Sequence, residues 1–297
     1  MKHLKNSIIR AGILTALTAS LASAYPVSGT LSVLGPSDFV GPFTIQNASG
    51  TSSESGYGGG FKSNLTTGLT TTTALMFCVD FSNDVSIPDT NVGVNISTLV
   101  DNSNISDTRF GSTPLTFRSI TYGNTTLANQ LAVDDPSAVT ILNGASALQR
   151  YQMAAYLVSN YSFINNPLPT SNNYYGGAGD QKDLGIQSAI WTILDAQGEN
   201  YVPPTGSQDG AIETWLINAA NWLQSGDKSI LSKFEIVSDS RIAGSNNPLN
   251  TGIQEFLTMA PTTVPEPSFY GALAFGLGAL LWRVRRDRGN SVPTNQA

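Results

Sequence analysis

Cys78 is the only cysteine among the 297 residues of a chain that reads as exported. A thiol alone in an oxidising compartment cannot close a disulfide within its own chain. It is therefore buried and inert, paired with another molecule, or committed to other chemistry. Gln187 is a second oddity. With Ile190, Trp191 and Leu194 it falls at i, i+3, i+4 and i+7, so a side-chain amide occupies a helix face that should be apolar. A buried amide finds hydrogen-bond partners or costs stability. Neighbouring backbone is the ordinary partner, and spacing alone leaves that solution open.

The histidine count narrows the chemistry further. The one histidine, His3, lies in a segment with Lys2, Lys5 and Arg10, an apolar run over residues 11–21, and Ala22-Ser23-Ala24. That order reads as a secretory signal peptide over residues 1–24, removed after Ala24. The mature chain then has no histidine. Cys–His and Ser–His nucleophile pairs are excluded, and zinc and iron sites lose their commonest ligand. No cofactor and no metal site are expected. Asp80, Asn83 and Asp84 could offer oxygen to calcium, but the EF-hand pattern is missing and a solvated turn accounts for them. The six Asn-x-Ser/Thr matches follow from composition. A glycosidase needs two carboxylates facing across a cleft, which the sequence neither shows nor excludes. Tyr174-Tyr175 beside Gly176-Gly177 could stack on sugar or pack under a loop.

The far end carries a different signal. Pro265-Glu266-Pro267 precedes an apolar run over residues 269–282, then Arg283, Arg285, Arg286 and Arg288. Fourteen helical residues span roughly 21 Å against a hydrocarbon core of ~30 Å. A tilted helix with snorkelling arginines could just cross, its basic end cytoplasmic. The segment resembles the PEP-CTERM sorting signal of Gram-negative bacteria. That resemblance implies recognition, and cleavage near Pro265-Glu266-Pro267, by an exosortase-type membrane enzyme. Nine residues follow Arg288, where many members of that family stop at the arginines. A plain membrane anchor predicts the same location without cleavage. Without residues 1–24 and the segment after Trp282, 8 basic and 20 acidic residues remain, a net charge of −12. Such a body does not bind nucleic acid by neutralising phosphate.

The elements that must position Cys78 and Gln187 fall into two regimes. Residues 30–34, 43–46, 74–79 and 116–122 are β-branched and aromatic stretches between Gly, Asn, Ser and Pro, and predict strands. Gly56-Tyr57-Gly58-Gly59-Gly60 reads as a mobile loop; Phe61, where a glycine should precede Lys62, removes the phosphate-loop reading. Asp134-Asp135 before Pro136 reads as a turn or a helix start. Helical periodicity then covers residues 148–161, 184–196 and 211–224, and residues 234–237 return to strand. The expected fold is α+β: a β-rich, sandwich- or barrel-like domain over residues 25–250 with an inserted or adjoining helical subdomain around 140–226. A linker over 251–264, a sorting segment over 265–288 with a short transmembrane helix, and a tail over 289–297 complete the chain.

Phe77-Cys78 on a strand, followed by a helix carrying Gln187-Ser188-Ala189-Ile190-Trp191, resembles the bacterial thioester domain of surface adhesins. The resemblance covers roughly residues 70–240, including the helix with Ala154-Ala155-Tyr156-Leu157. Ile186 departs from the pattern, in which a polar residue often precedes the glutamine. The resemblance implies that Cys78 sulfur is joined to the acyl carbon of Gln187, with Phe77 and Trp191 as supporting residues that shield the bond from water; Asp80 is added as a supporting residue only because it lies two positions from Cys78, and the sequence assigns it no role. A target amine or hydroxyl would then take the acyl group in a single-use transfer rather than enzymatic turnover. The expectation is thus an exported cell-surface or extracellular-matrix protein that attaches covalently to an amine- or hydroxyl-bearing target. The alternatives are a non-reactive matrix component with an inert thiol, or a carbohydrate-binding module.

Overall fold

The computed structural model describes residues 27–46, 53–81, 83–101, 104–111, 121–122, 125–164, 173–175, 181–194, 200–202, 208–247 and 251–259. The chain divides into two compact units, Met1–Met259 and Ala260–Ala297, and every described residue lies in the first. The expected signal peptide (1–24) and the sorting residues Pro265, Glu266, Pro267, Arg283, Arg285 and Arg286 fall outside the described residues. Among the described residues no helix is long and apolar enough to cross a membrane.

Six antiparallel strands close into a barrel. β1 (Val27–Gln46) pairs with β2 (Ser53–Thr67), which pairs with β3 (Thr70–Cys78). β3 pairs with β10 (Phe256–Met259), β10 with β9 (Phe234–Asp239), β9 with β4 (Asp89–Thr98), and β4 returns to β1. Closure leaves these strands no free edge along the ring, which removes the aggregation hazard of an open sheet. β1 can serve two neighbourhoods because it is long and bent. Its register against β2 shifts at Val33/Gly35, Pro36/Asp38 and Val40/Phe43, as bulges that turn a strand do. Its first half closes the barrel on β4. Its second half carries the short strands β7 (Asn173–Tyr175), in parallel, and β8 (Asn200–Val202). A separate two-strand ribbon pairs β5 (Thr121–Tyr122) with β6 (Thr125–Thr126).

The helices form one insertion between β4 and β9: α1 (Leu127–Asp134), α2 (Pro136–Gly144), α3 (Ala147–Val158), α4 (Gln181–Leu194) and α5 (Gln208–Ser225). Asp135 caps α2 by accepting from the N–H groups of Ser137 and Ala138, ahead of a proline at the first position. A capping box, Ser146 with Gln149, starts α3. α4 is buried from Asp183 through Leu194, as expected of a helix enclosed on every side. Arg150 of α3 is buried and holds the helix ends together. Its guanidinium donates to the carbonyls of Leu142 (3.0 Å), Ala145 (3.2 Å) and Ile193 (2.9 Å), satisfying acceptors left over where α2 and α4 stop.

Several expectations change. The glycine-rich stretch is part of β2, paired with β1 from Gly56 to Gly60, because closing the barrel needs backbone pairing there more than side chains. The insertion begins at residue 127 rather than near 140. Helix α3 ends at Val158, which leaves Tyr161 in the turn beyond it. Residues 256–259, expected within a linker, form β10 in the middle of the barrel. The strand expected over 116–122 is described only at its end, as β5.

Candidate functional site

Strand β3 runs from solvent into the core: its threonines are largely exposed, whereas Met76, Phe77 and Cys78 are buried. Cys78 ends the strand opposite Phe256 of β10. Gln187, midway along α4, is also fully buried, and the two meet. Gln187 Nε2 donates to the Cys78 carbonyl oxygen at 3.2 Å. Its Oε1 accepts two hydrogen bonds of 2.7 Å, from the Gly59 N–H and the Tyr161 hydroxyl. Backbone takes the nitrogen, as a buried glutamine ordinarily arranges, but the oxygen faces two converging donors.

Glycine is required on the barrel side. Gly59 has φ +89°, and a Cβ there would lie 2.3 Å from the Asp38 carbonyl oxygen. At Gly58 a Cβ would lie 2.5 Å from both Cδ and Oε1 of Gln187, so the missing side chain is the space the amide occupies. On the opposite side, Phe77, Tyr161 and Phe163 stack, with Tyr161 and Phe163 centroids 4.7 Å apart and planes at 18°. Burial raises the Tyr161 pKa well above its ordinary value, with the nearby Cys78 and Asp183 adding to the rise. Its hydroxyl therefore stays a neutral donor.

The sulfur has its own surroundings. Gln254 Nε2 lies 2.8 Å from Cys78 Sγ and 2.8 Å from the Asp80 carbonyl oxygen. The thiol itself donates to that Asp80 oxygen at 3.4 Å. Burial pushes the Cys78 thiol far up. The neighbouring Trp191 indole lowers it in part, and the Asp80 charge raises it again. The resting group is thus a neutral S–H. Trp191, one turn along α4 from Gln187, also packs on Phe43 (4.7 Å between centroids) and Phe81 (5.0 Å).

Asp80, singled out in the sequence as a supporting residue close to Cys78, has a structural occupation. Its carboxylate lies 2.6 Å from Arg109 Nε, both side chains fully buried, and accepts from Asn83 Nδ2 at 3.0 Å. Asn83 as a donor to Asp80 does not fit a shared cation, and among the described residues no three His, Cys, Asp or Glu cluster for a metal. Arg109 also donates to the Ile253 carbonyl at 2.6 Å and, from its backbone, to Glu255 Oε1 at 2.8 Å. Glu255 further accepts from the hydroxyls of Ser238 and Tyr151. Tyr174 and Tyr175 lie in β7 beside Phe39 and Val40 of β1.

Sequence reasoning therefore reached Cys78, Gln187, Phe77 and Trp191, which the fold brings together. It missed Gly58, Gly59, Tyr161 and Gln254 as members of the site. The available signal for Gln254 was a polar pair, Gln254-Glu255, leading straight into Phe256-Leu257-Thr258-Met259, an apolar stretch with strand character. No protein-family model, no curated protein and no solved structure matches this chain.

Proposed function

We propose that the protein is an exported surface or matrix component that attaches itself covalently to a target through a Cys78–Gln187 thioester. The observation that carries this reading is the Gln187 oxygen, held by the Gly59 N–H and the Tyr161 hydroxyl while its Nε2 donates to the backbone carbonyl of Cys78. Two donors on an acyl oxygen draw electrons from the acyl carbon and stabilise the oxyanion formed when a nucleophile adds. In the first step Cys78 Sγ bonds to Gln187 Cδ, the C–N bond breaks, and the thiol proton leaves on ammonia. In the second a target amine bonds to Cδ, the C–S bond breaks, and an amine proton ends on sulfur. The target stays joined to Gln187 and the thiol is restored, so each molecule acts once. Full burial of Cys78 and Gln187 keeps water from the acyl carbon. It also means that a target reaches the bond only when the cover over it opens.

Export and surface sorting by an exosortase-type enzyme belong to the same proposal and rest on Pro265-Glu266-Pro267 and Arg283, Arg285 and Arg286. Full burial of Cys78 also supports a second reading, an inert thiol in a non-reactive matrix protein. Intact mass of the mature protein, with both termini established, separates the two. A thioester makes wild type lighter than its sequence by one ammonia, Cys78→Ala abolishes the deficit, and methylamine adds its full mass to wild type alone. Freshly purified wild type at its sequence mass selects the inert thiol.

A further inference from the structure

We propose that Gln254 is a catalytic residue on the sulfur side of this pair, its amide N–H stabilising negative charge on Cys78 Sγ as the thioester forms and as it is cleaved. The inference rests on the thioester reading and extends it to a residue contributed by β10's leading loop.

Three observations carry it. First, the reacting atom is touched directly: Gln254 Nε2 is 2.8 Å from Sγ. Second, the same nitrogen is 2.8 Å from the Asp80 carbonyl oxygen. A side-chain amide has two N–H bonds, so the Asp80 oxygen fixes one and leaves the other for the sulfur. Third, both neighbours of Gln254 are tied down. The Ile253 carbonyl takes the Arg109 guanidinium, and the fully buried Glu255 takes the Arg109 N–H and the hydroxyls of Ser238 and Tyr151. A donor held this firmly needs no reorganisation when charge develops, which is the condition under which fixed dipoles accelerate reactions.

The need for such a donor follows from composition. The mature chain is expected to lack histidine, and the nearest carboxylate, Asp80, opposes charge on the sulfur. Neutral N–H groups are what remains to stabilise a thiolate. Gln254 presents its nitrogen, not its acyl carbon, to the sulfur, whereas Gln187 has its oxygen between two donors. The two glutamines thus divide the work: Gln187 supplies the acyl group, and Gln254 serves the nucleophile and leaving group. Gln254 gives up no proton in either step. In formation the thiol proton leaves with ammonia, and in cleavage the proton that reaches sulfur comes from the attacking amine.

The test compares wild type, Gln254→Met, Gln254→Asn and Gln254→Glu as full mature chains. Three quantities are read: thioester fraction by intact mass, rate of methylamine incorporation, and thermal midpoint. Losing one preorganised donor slows such reactions by about 10- to 100-fold, at or below the usual range for an oxyanion donor because sulfur is the weaker acceptor. Gln254→Met, similar in size but without the N–H, should incorporate methylamine slower by that factor and form its thioester more slowly. Gln254→Glu should be slower still, and Gln254→Asn should recover part of the rate. A folded Gln254→Met that forms and loses its thioester at the wild-type rate overturns the role of Gln254 and leaves the thioester reading standing. Wild type without the ammonia deficit overturns the thioester reading itself. Should Gln254→Met not fold, peptide mapping of wild type still decides one point: methylamide on Gln254 instead of Gln187 refutes the division of roles.

Discussion

Gly58→Ala tests the geometry of the pair with a single methyl group. The added Cβ would lie 2.5 Å from Gln187 Cδ and Oε1 and 2.7 Å from its Cγ, distances that real Cβ atoms do not show. The atoms in the way are the end of a flexible side chain, so the clash is relieved by swinging the amide aside. The cost is then the hydrogen bonds the amide abandons: to Cys78 O, from the Gly59 N–H and from the Tyr161 hydroxyl. At about 1 kcal/mol net for each bond, roughly 3 kcal/mol is lost. For a domain of this size that corresponds to a fall in thermal midpoint of about 6–12 °C. The measurement belongs in a Cys78→Ala background, where Gln187 remains an amide and no thioester complicates the comparison. Gly144→Ala is the control, because a Cβ there meets nothing within 4 Å. In the presence of Cys78 the same Gly58→Ala change should abolish the ammonia deficit. An unchanged midpoint in the Cys78→Ala background, together with a retained deficit when Cys78 is present, would show that Gln187 does not sit beneath Gly58 as described.

Tyr161→Phe keeps the stack with Phe77 and Phe163 but removes one of the two donors on Gln187 Oε1; thioester formation, followed by mass against time after refolding, should slow by about 100-fold. Glu255 has its pKa raised, chiefly by burial and against the opposing pull of Arg109. A raised folded-state value means the protonated form is favoured in the fold. Its contribution is full below the ordinary glutamate value and is lost as pH rises through the folded one. The urea midpoint of wild type relative to Glu255→Gln should therefore fall as pH is raised across that window, and a difference flat in pH refutes the assignment. Arg150→Met strips donors from the carbonyls of Leu142, Ala145 and Ile193. At about 1 kcal/mol or more for each buried acceptor left unpaired, the loss of roughly 3 kcal/mol should appear in denaturant unfolding.

What the sequence could and could not reveal divides along physical lines. Local periodicity showed the helices around Gln187: α3 and α5 each bury a face with a 3.6-residue repeat, and α4, which carries Gln187 and is buried on every side, still spaces Gln187, Ile190, Trp191 and Leu194 at helical intervals. It failed for Gly56–Gly60, whose composition signals a flexible loop. There the pairing with β1, a long-range contact, outweighs the entropy of ordering glycine, and one of the glycines, Gly58, leaves the space that the Gln187 side chain occupies. β10 escaped for a similar reason. Four residues are too few to show a period, and its place between β3 and β9 is set by partners far away in sequence. Asp80 shows the limit of proximity along the chain: it lies two residues from Cys78, yet its carboxylate belongs to Arg109. Gln254 lies 176 residues away and has its amide on the sulfur.

The central claim is one covalent bond between Cys78 and Gln187, and the site of methylamine incorporation tests it most directly. Freshly purified mature protein is treated with methylamine and a thiol-alkylating reagent under denaturing conditions, then digested and mapped. The account predicts one methylamide on the peptide containing Gln187 and, in the same molecules, one newly alkylated thiol at Cys78. Cys78 fully alkylated without amine, with Gln187 still an ordinary amide, would contradict it.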